Sequence, residues 1–131
     1  MKAGRVLLAD SHLNMLEGVH SLLETVFETV VMVADERSLI EAVPTFAPNL
    51  VVVDLSLPVA EGANIARQLQ TRYPTLRILV MSVYDEPAVA RQLLEAGVAG
   101  VVLKRTAARD LLPAVREVLR GGTYVCPVLR E

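Results

Sequence analysis

At 131 residues, 53% hydrophobic and 21% charged, the chain can bury one sizeable core and is too short for two ordinary domains. A formal net charge of −2 argues against a nucleic-acid-binding surface spread over it, because phosphate recognition leaves a basic footprint. The single cysteine, Cys126, cannot form an internal disulfide. The basic start at Lys2 runs into a four-residue apolar run rather than a signal-peptide core, and no segment approaches a membrane span. The expected location is the cytoplasm.

In chain order, Val6 to Ala9 is the first predicted strand, followed by a helical stripe of Leu13, Leu16, Val19, Leu23 and Val26. Val30 to Val33 is the second, with a helix after it that ends near Pro44, whose ring crowds the preceding turn. Leu50 to Val53 is the third, and Ile65, Leu69 and Tyr73 form the stripe of its helix. Ile78 to Met81 is the fourth; Asp85 caps the helix that follows, Pro87 lies near its first turn, and Gly97 ends it in a left-handed turn. Val101 to Leu103 is the fifth, before a helix capped by Thr106 and closed by Gly121 and Gly122. Pro113 lies inside that helix. The apolar positions Leu111, Val115, Val118 and Leu119 continue past it, so a kinked or displaced first half is expected rather than a break.

The strand runs are continuous and rich in β-branched residues, the pattern of a parallel sheet covered on both faces. Regular alternation in so short a chain predicts a doubly wound α/β sheet of five parallel strands; in the flavodoxin-like order 2-1-3-4-5, the order would reverse beside strands one and three. Residues 1–122 are read as one domain, and 123–131 as an extended tail or the start of a linker to an output domain not present here. Met15, Met32 and Met81 are expected as core filler, and His12 and His20 as capping or surface residues.

Four of the five runs end at a polar residue: Asp10, Asp54, Ser82 and Lys104. In an open α/β sheet, ligands bind beyond the carboxyl ends of the strands, so these four side chains converge on one pocket. A carboxylate can attack phosphorus to give an acyl phosphate, but the incoming phosphoryl group is negative and repels it. The reaction therefore calls for a divalent cation, Mg2+, with a fixed positive charge and a hydroxyl on the phosphoryl oxygens. Asp10 would help hold the metal, Lys104 would supply the charge and Ser82 the hydroxyl.

At these residues the chain resembles the receiver domain of two-component response regulators. The resemblance runs over nearly the whole length: an acid after the first strand, Leu50-Val-Val-Val-Asp54-Leu-Ser-Leu-Pro58 followed by Gly62, Val80-Met-Ser82, and Glu95-Ala-Gly-Val-Ala-Gly-Val-Val-Leu-Lys104. It implies that Asp54 is the phosphoacceptor, Ser82 the switch hydroxyl, Lys104 the phosphate-pairing lysine, and the Ser56 carbonyl a metal ligand beside Asp10 and Asp54. It also implies a sensor histidine kinase as partner, a homodimer, and a domain that assists its own phosphorylation and dephosphorylation without being an enzyme in the ordinary sense. Asp10-Ser11-His12 through Gly18-Val19, with Ala114 to Tyr124, looks most like the subgroup followed by a LuxR-type helix-turn-helix, which controls transcription. Any DNA contact would come through that output domain.

Three positions depart from the family pattern. Ser11 stands where a second acid, commonly the direct metal ligand, is usual, and Val101 replaces the aromatic switch residue three positions before the lysine. Arg105 replaces a frequent proline. Tyr84, close to Ser82, reads as a partly buried surface tyrosine. Ser11 and Val101 favour an alternative, a degenerate receiver acting as a phosphorylation-independent interaction module. A haloacid-dehalogenase-type phosphatase wants a second acid where Ser56 stands, and a dinucleotide site wants glycines where Asp10-Ser11-His12 stands. Ser11→Asp is expected to tighten Mg2+ binding, because an added anionic oxygen attracts a hard cation. Titration of both proteins at matched pH and salt measures it, and equal affinities would show that the position holds no metal.

Overall fold

The computed structural model describes residues 2–9, 16–55 and 59–130. Strands β1 (Ala3–Ala9), β2 (Phe27–Val33), β3 (Leu50–Leu55), β4 (Ile78–Ser82), β5 (Gly100–Leu103) and β6 (Tyr124–Val125) alternate with helices α1 (Leu16–Glu24), α2 (Glu36–Phe46), α3 (Val59–Arg72), α4 (Pro87–Glu95) and α5 (Ala107–Leu119). Two 3-10 turns, Lys104–Thr106 and Pro127–Leu129, flank α5 and β6. All neighbouring strands are parallel, in the order β2-β1-β3-β4-β5-β6. The expected order of five strands is present, and a sixth is added at the β5 edge.

Alternation along each strand divides the core in two. Leu7, Val51, Ile78, Val80, Val101 and Leu103 pack with Leu39, Val43, Ala66, Leu69 and Leu93 from α2, α3 and α4. Val6, Leu8, Leu50, Val52, Leu79, Met81 and Val102 pack with Leu23 of α1 and Leu111, Val115 and Val118 of α5. Burial on both faces explains why β4 and β5 read as unbroken apolar runs. β2 differs because it is an edge strand: Met32, expected in the core, is 44% exposed.

The helix ends are set by local chemistry. Asp35 caps α2 by accepting the Ser38 amide at 2.7 Å, and α2 runs only two residues past Pro44 before Ala47 turns left-handed. α4 ends as expected at Gly97, whose φ of +105° places its amide on the Leu94 carbonyl and the Val98 amide on Leu93. Gly121 closes α5 in the same way. The residue capping α4 is Glu86 rather than Asp85, without a side-chain bond, and Asp85 instead pairs with Arg105 at 3.4 Å. α5 continues through Pro113; Pro113 and Arg109 are both exposed, so the carbonyl deprived of its partner lies on the solvent side. What precedes the helix is a separate 3-10 turn, not a displaced first half.

The segment beyond Gly122 does not simply exit. The Tyr124 amide donates to the Ala99 carbonyl at 3.0 Å and the Cys126 amide to Val101 at 3.1 Å, and Cys126 and Leu129 are buried. Leu111→Ala, in the middle of the α5 face, is expected to cost about 2–5 kcal/mol, because a buried leucine leaves a cavity. Val83→Ala, at a residue 54% exposed, is expected to stay within about 0.5 kcal/mol. Urea denaturation distinguishes the two.

Candidate functional site

Asp54 lies near the carboxyl end of β3, on the α1–α5 face with Leu50 and Val52. Its side chain is only 1% exposed, a position where an uncompensated carboxylate is costly. The register places Asp54 beside Met81, Leu55 beside Ser82, and Ser82 beside Leu103. Lys104, two residues beyond Val102, returns to the Asp54 face but starts two strands away, about 10 Å across the sheet. A long, narrow side chain is needed to cross the end of β4. Lys104 Nζ reaches Asp54 Oδ2 at 2.6 Å and remains 16% exposed. The sequence contains only one other lysine, Lys2, beside eleven arginines. A compact ammonium on a flexible stem fits this approach where a planar guanidinium would not.

Ser82 is fully buried on the neighbouring strand, one register step beyond Asp54. Its Oγ accepts the Tyr84 amide at 2.9 Å, which fixes the turn into α4. Tyr84 is half-buried, as a surface tyrosine would be. Asp54, Ser82 and Lys104 therefore meet at one sheet end, while Asp10, Ser11 and Ser56 lie outside the described residues. Among the described residues no cluster of three or more His, Cys, Asp or Glu could hold a metal. Asp54 offers one hard oxygen donor that suits Mg2+, and the other donors would have to come from Asp10 and the Ser56 carbonyl.

Nothing in the sequence marks the support at the end of the Lys104 turn. The Thr106 hydroxyl, at the end of the 3-10 turn, donates to Asp110 Oδ2 at 2.7 Å instead of capping α5. Asp110 is 3% exposed and also accepts from Arg109, at 3.2 Å and 3.4 Å. An acid in a first helical turn reads as a partner of the helix dipole, and only burial reveals the further role. Burial opposes its ionisation, but hydrogen bonds from Arg109 and Thr106 and the charges of Arg109 and Arg130 outweigh that, holding the carboxyl below the ordinary aspartate range.

Residues 6–116 match the response regulator receiver domain family. The chain belongs to that family. It is 32% identical over 125 residues to the transcriptional regulatory protein DegU of Brevibacillus brevis, covering 94% of this chain and 53% of DegU. It is 31% identical over 127 residues to a probable transcriptional regulatory protein, NarL, of Mycobacterium tuberculosis, covering 95% and 59%. The receiver thus spans a little over half the length of the curated relatives it matches. Among solved structures it superposes on the isolated receiver domain of RcsB from Salmonella enterica serovar Typhimurium, with the phosphomimetic BeF3-, at a TM-score of 0.85 and 26% identity. That match covers 95% of this chain and 94% of the other. A LuxR-family two-component response regulator from Aurantimonas gives 0.87 and 28%, over 95% and 91%. Proteins of this family are signalling modules rather than ordinary enzymes.

Because the folded pKa of Asp110 is lowered, its ionised form stabilises the receiver fully above the ordinary aspartate pKa, and that contribution is lost as pH falls through the lowered value. Thermal melts should show the wild type more stable than Asp110→Asn at neutral pH, with the gap closing only in strongly acidic buffer. A gap independent of pH would refute the assignment.

Proposed function

We propose that this receiver accepts a phosphoryl group on Asp54 from a sensor histidine kinase and passes the change to an output that regulates transcription. The observation that carries this reading is the buried Asp54–Lys104 pair at the carboxyl end of the sheet, with Ser82 one register step away. An Asp54 carboxylate oxygen attacks the phosphorus of the kinase phosphohistidine, the P–N bond breaks, the imidazole leaves, and an acyl phosphate forms. Asp54, Asp10 and the Ser56 carbonyl would hold Mg2+, which when bound would neutralise charge on the transferring group. Lys104, already poised on Asp54, pairs with the phosphoryl oxygens, and the Ser82 hydroxyl holds another. The same groups favour hydrolysis of the acyl phosphate, which makes the domain a participant in its own dephosphorylation.

The family and the DNA-bound RcsB structures support an output through a separate DNA-binding domain and action in the cytoplasm. No described helix is long and apolar enough to cross a membrane. The second reading, an interaction module that works without phosphate, is favoured by Ser11, and one experiment decides between the two. With acetyl phosphate and Mg2+, intact-mass spectrometry should show one adduct of about 80 Da on the wild type and on Asp85→Asn, and none on Asp54→Asn. A full adduct on Asp54→Asn would move the acceptor elsewhere; no adduct on the wild type would favour the phosphate-independent module.

A further inference from the structure

The two edges of the sheet are finished differently. At one edge the chain's own tail closes β5, whereas at the other no described element lies beyond β2. β2 is seven residues long, and an open strand of that length presents a row of unpaired amides and carbonyls to any chain that can lie beside it. The devices that usually blunt such an edge are missing from its centre: Thr29 to Ala34 is a run of six residues without a charge, a proline or a glycine. Its apolar side chains are incompletely covered on both faces. Met32, 44% exposed, and half-buried Val30 lie on the α1–α5 face, beside Leu8 and Val6 of β1. Val31 and Val33, also half-buried, lie on the face of α2, α3 and α4.

Charge selects the occupant. Residues 24–41 carry five acids, Glu24, Glu28, Asp35, Glu36 and Glu41, against one base, Arg37, in a chain whose whole net charge is only −2. All five acids are exposed. Glu24 pairs with His20, Glu41 with Arg37, and Asp35 caps α2, but Glu28 near one end of the strand and Glu36 beyond the other have no ion pair among the described residues. Two copies of β2 laid antiparallel would bring the Glu28 end of each to the Asp35–Glu36 end of the other, and laid parallel in register would set Glu28 beside Glu28. Like charges so placed oppose pairing, which disfavours a second copy. We propose that the β2 edge is a docking site for an extended segment of a partner protein, uncharged and rich in β-branched residues at its centre and flanked by lysine or arginine. The segment adds a strand to the sheet: main-chain hydrogen bonds hold it, its centre covers Val30 and Met32 on one face and Val31 and Val33 on the other, and its basic ends meet Glu28 and Glu36. This site stands apart from the phosphoacceptor reading of Asp54.

Amide NMR titration of the whole chain tests the edge with three short synthetic peptides. The first alternates valine and threonine between pairs of lysines, the second replaces the lysines by glutamates, and the third keeps the lysines but carries a methyl group on every second backbone nitrogen. The lysine peptide is expected to shift the amides of Thr29 to Val33 and slow their hydrogen exchange. The glutamate peptide should bind at least about tenfold more weakly, equivalent to about 1.4 kcal/mol. The methylated peptide, which keeps the charge and loses the main-chain donors, should leave these amides unmoved. Glu28→Gln combined with Glu36→Gln, both at exposed positions, should weaken the lysine peptide several-fold while the rest of the amide spectrum is retained. No response along β2, or equal binding of the methylated peptide, would overturn strand addition. Equal binding of the lysine and glutamate peptides would overturn the basic partner, and so would slowing of the same amides by raised protein concentration alone, which would make a second copy the occupant.

Discussion

A carboxylate buried at the end of β3 must be neutralised, and the group that does so begins two strands away. The 2.6 Å contact between Asp54 and Lys104 therefore constrains the whole right half of the sheet. β3, β4 and β5 must keep the register that sets Asp54 beside Met81 and Met81 beside Val102, and the end of β5 must be held in place. Stripping a buried ion of its partner typically costs about 3–5 kcal/mol, far more than an exposed pair such as Asp85–Arg105 contributes. In the proposed phosphoryl transfer the same pair would serve the chemistry: the cation that compensates the acid stands beside the oxygen that would carry the phosphoryl group.

Strand parity then decides which helices feel the site. Asp54 and Lys104 belong to the α1–α5 face, whereas Ser82, with Ile78 and Val80, belongs to the face of α2, α3 and α4. A ligand held by all three groups is gripped from both sides of the sheet. Ser82 is tied to the turn into α4 through the Tyr84 amide, and the turn that begins at Lys104 is tied to α5 through Thr106 and Asp110. Two such ties from one site follow from nothing more than the period-two alternation of a strand.

Most of this architecture was legible in the residues because strands buried on both faces have no polar interruptions to hide them. Asp54, Ser82 and Lys104 were legible for the same reason, each being the first polar residue where such a run ends. What was not legible depended on tertiary surroundings. Met32 looks like core until β2 proves to be an edge. Asp85 looks like a cap until Arg105 comes within reach from another element. A two-residue strand such as β6 is too short to show any period, and Asp110 carries the signature of an ordinary first-turn acid.

β6 also changes the meaning of Val101. The resemblance to other receivers makes a valine there look like a missing aromatic switch, a deficit on an exposed surface. In the fold it is an interior residue, because residues 124–129 satisfy the backbone of β5 and lay Cys126 and Leu129 into the core beside it. An unpaired strand edge invites another chain, and this one is closed by its own tail. A large aromatic ring would have to compete for the space that Val125, Cys126 and Leu129 fill. The smaller residue at 101 and the docked strap are thus two halves of one packing solution.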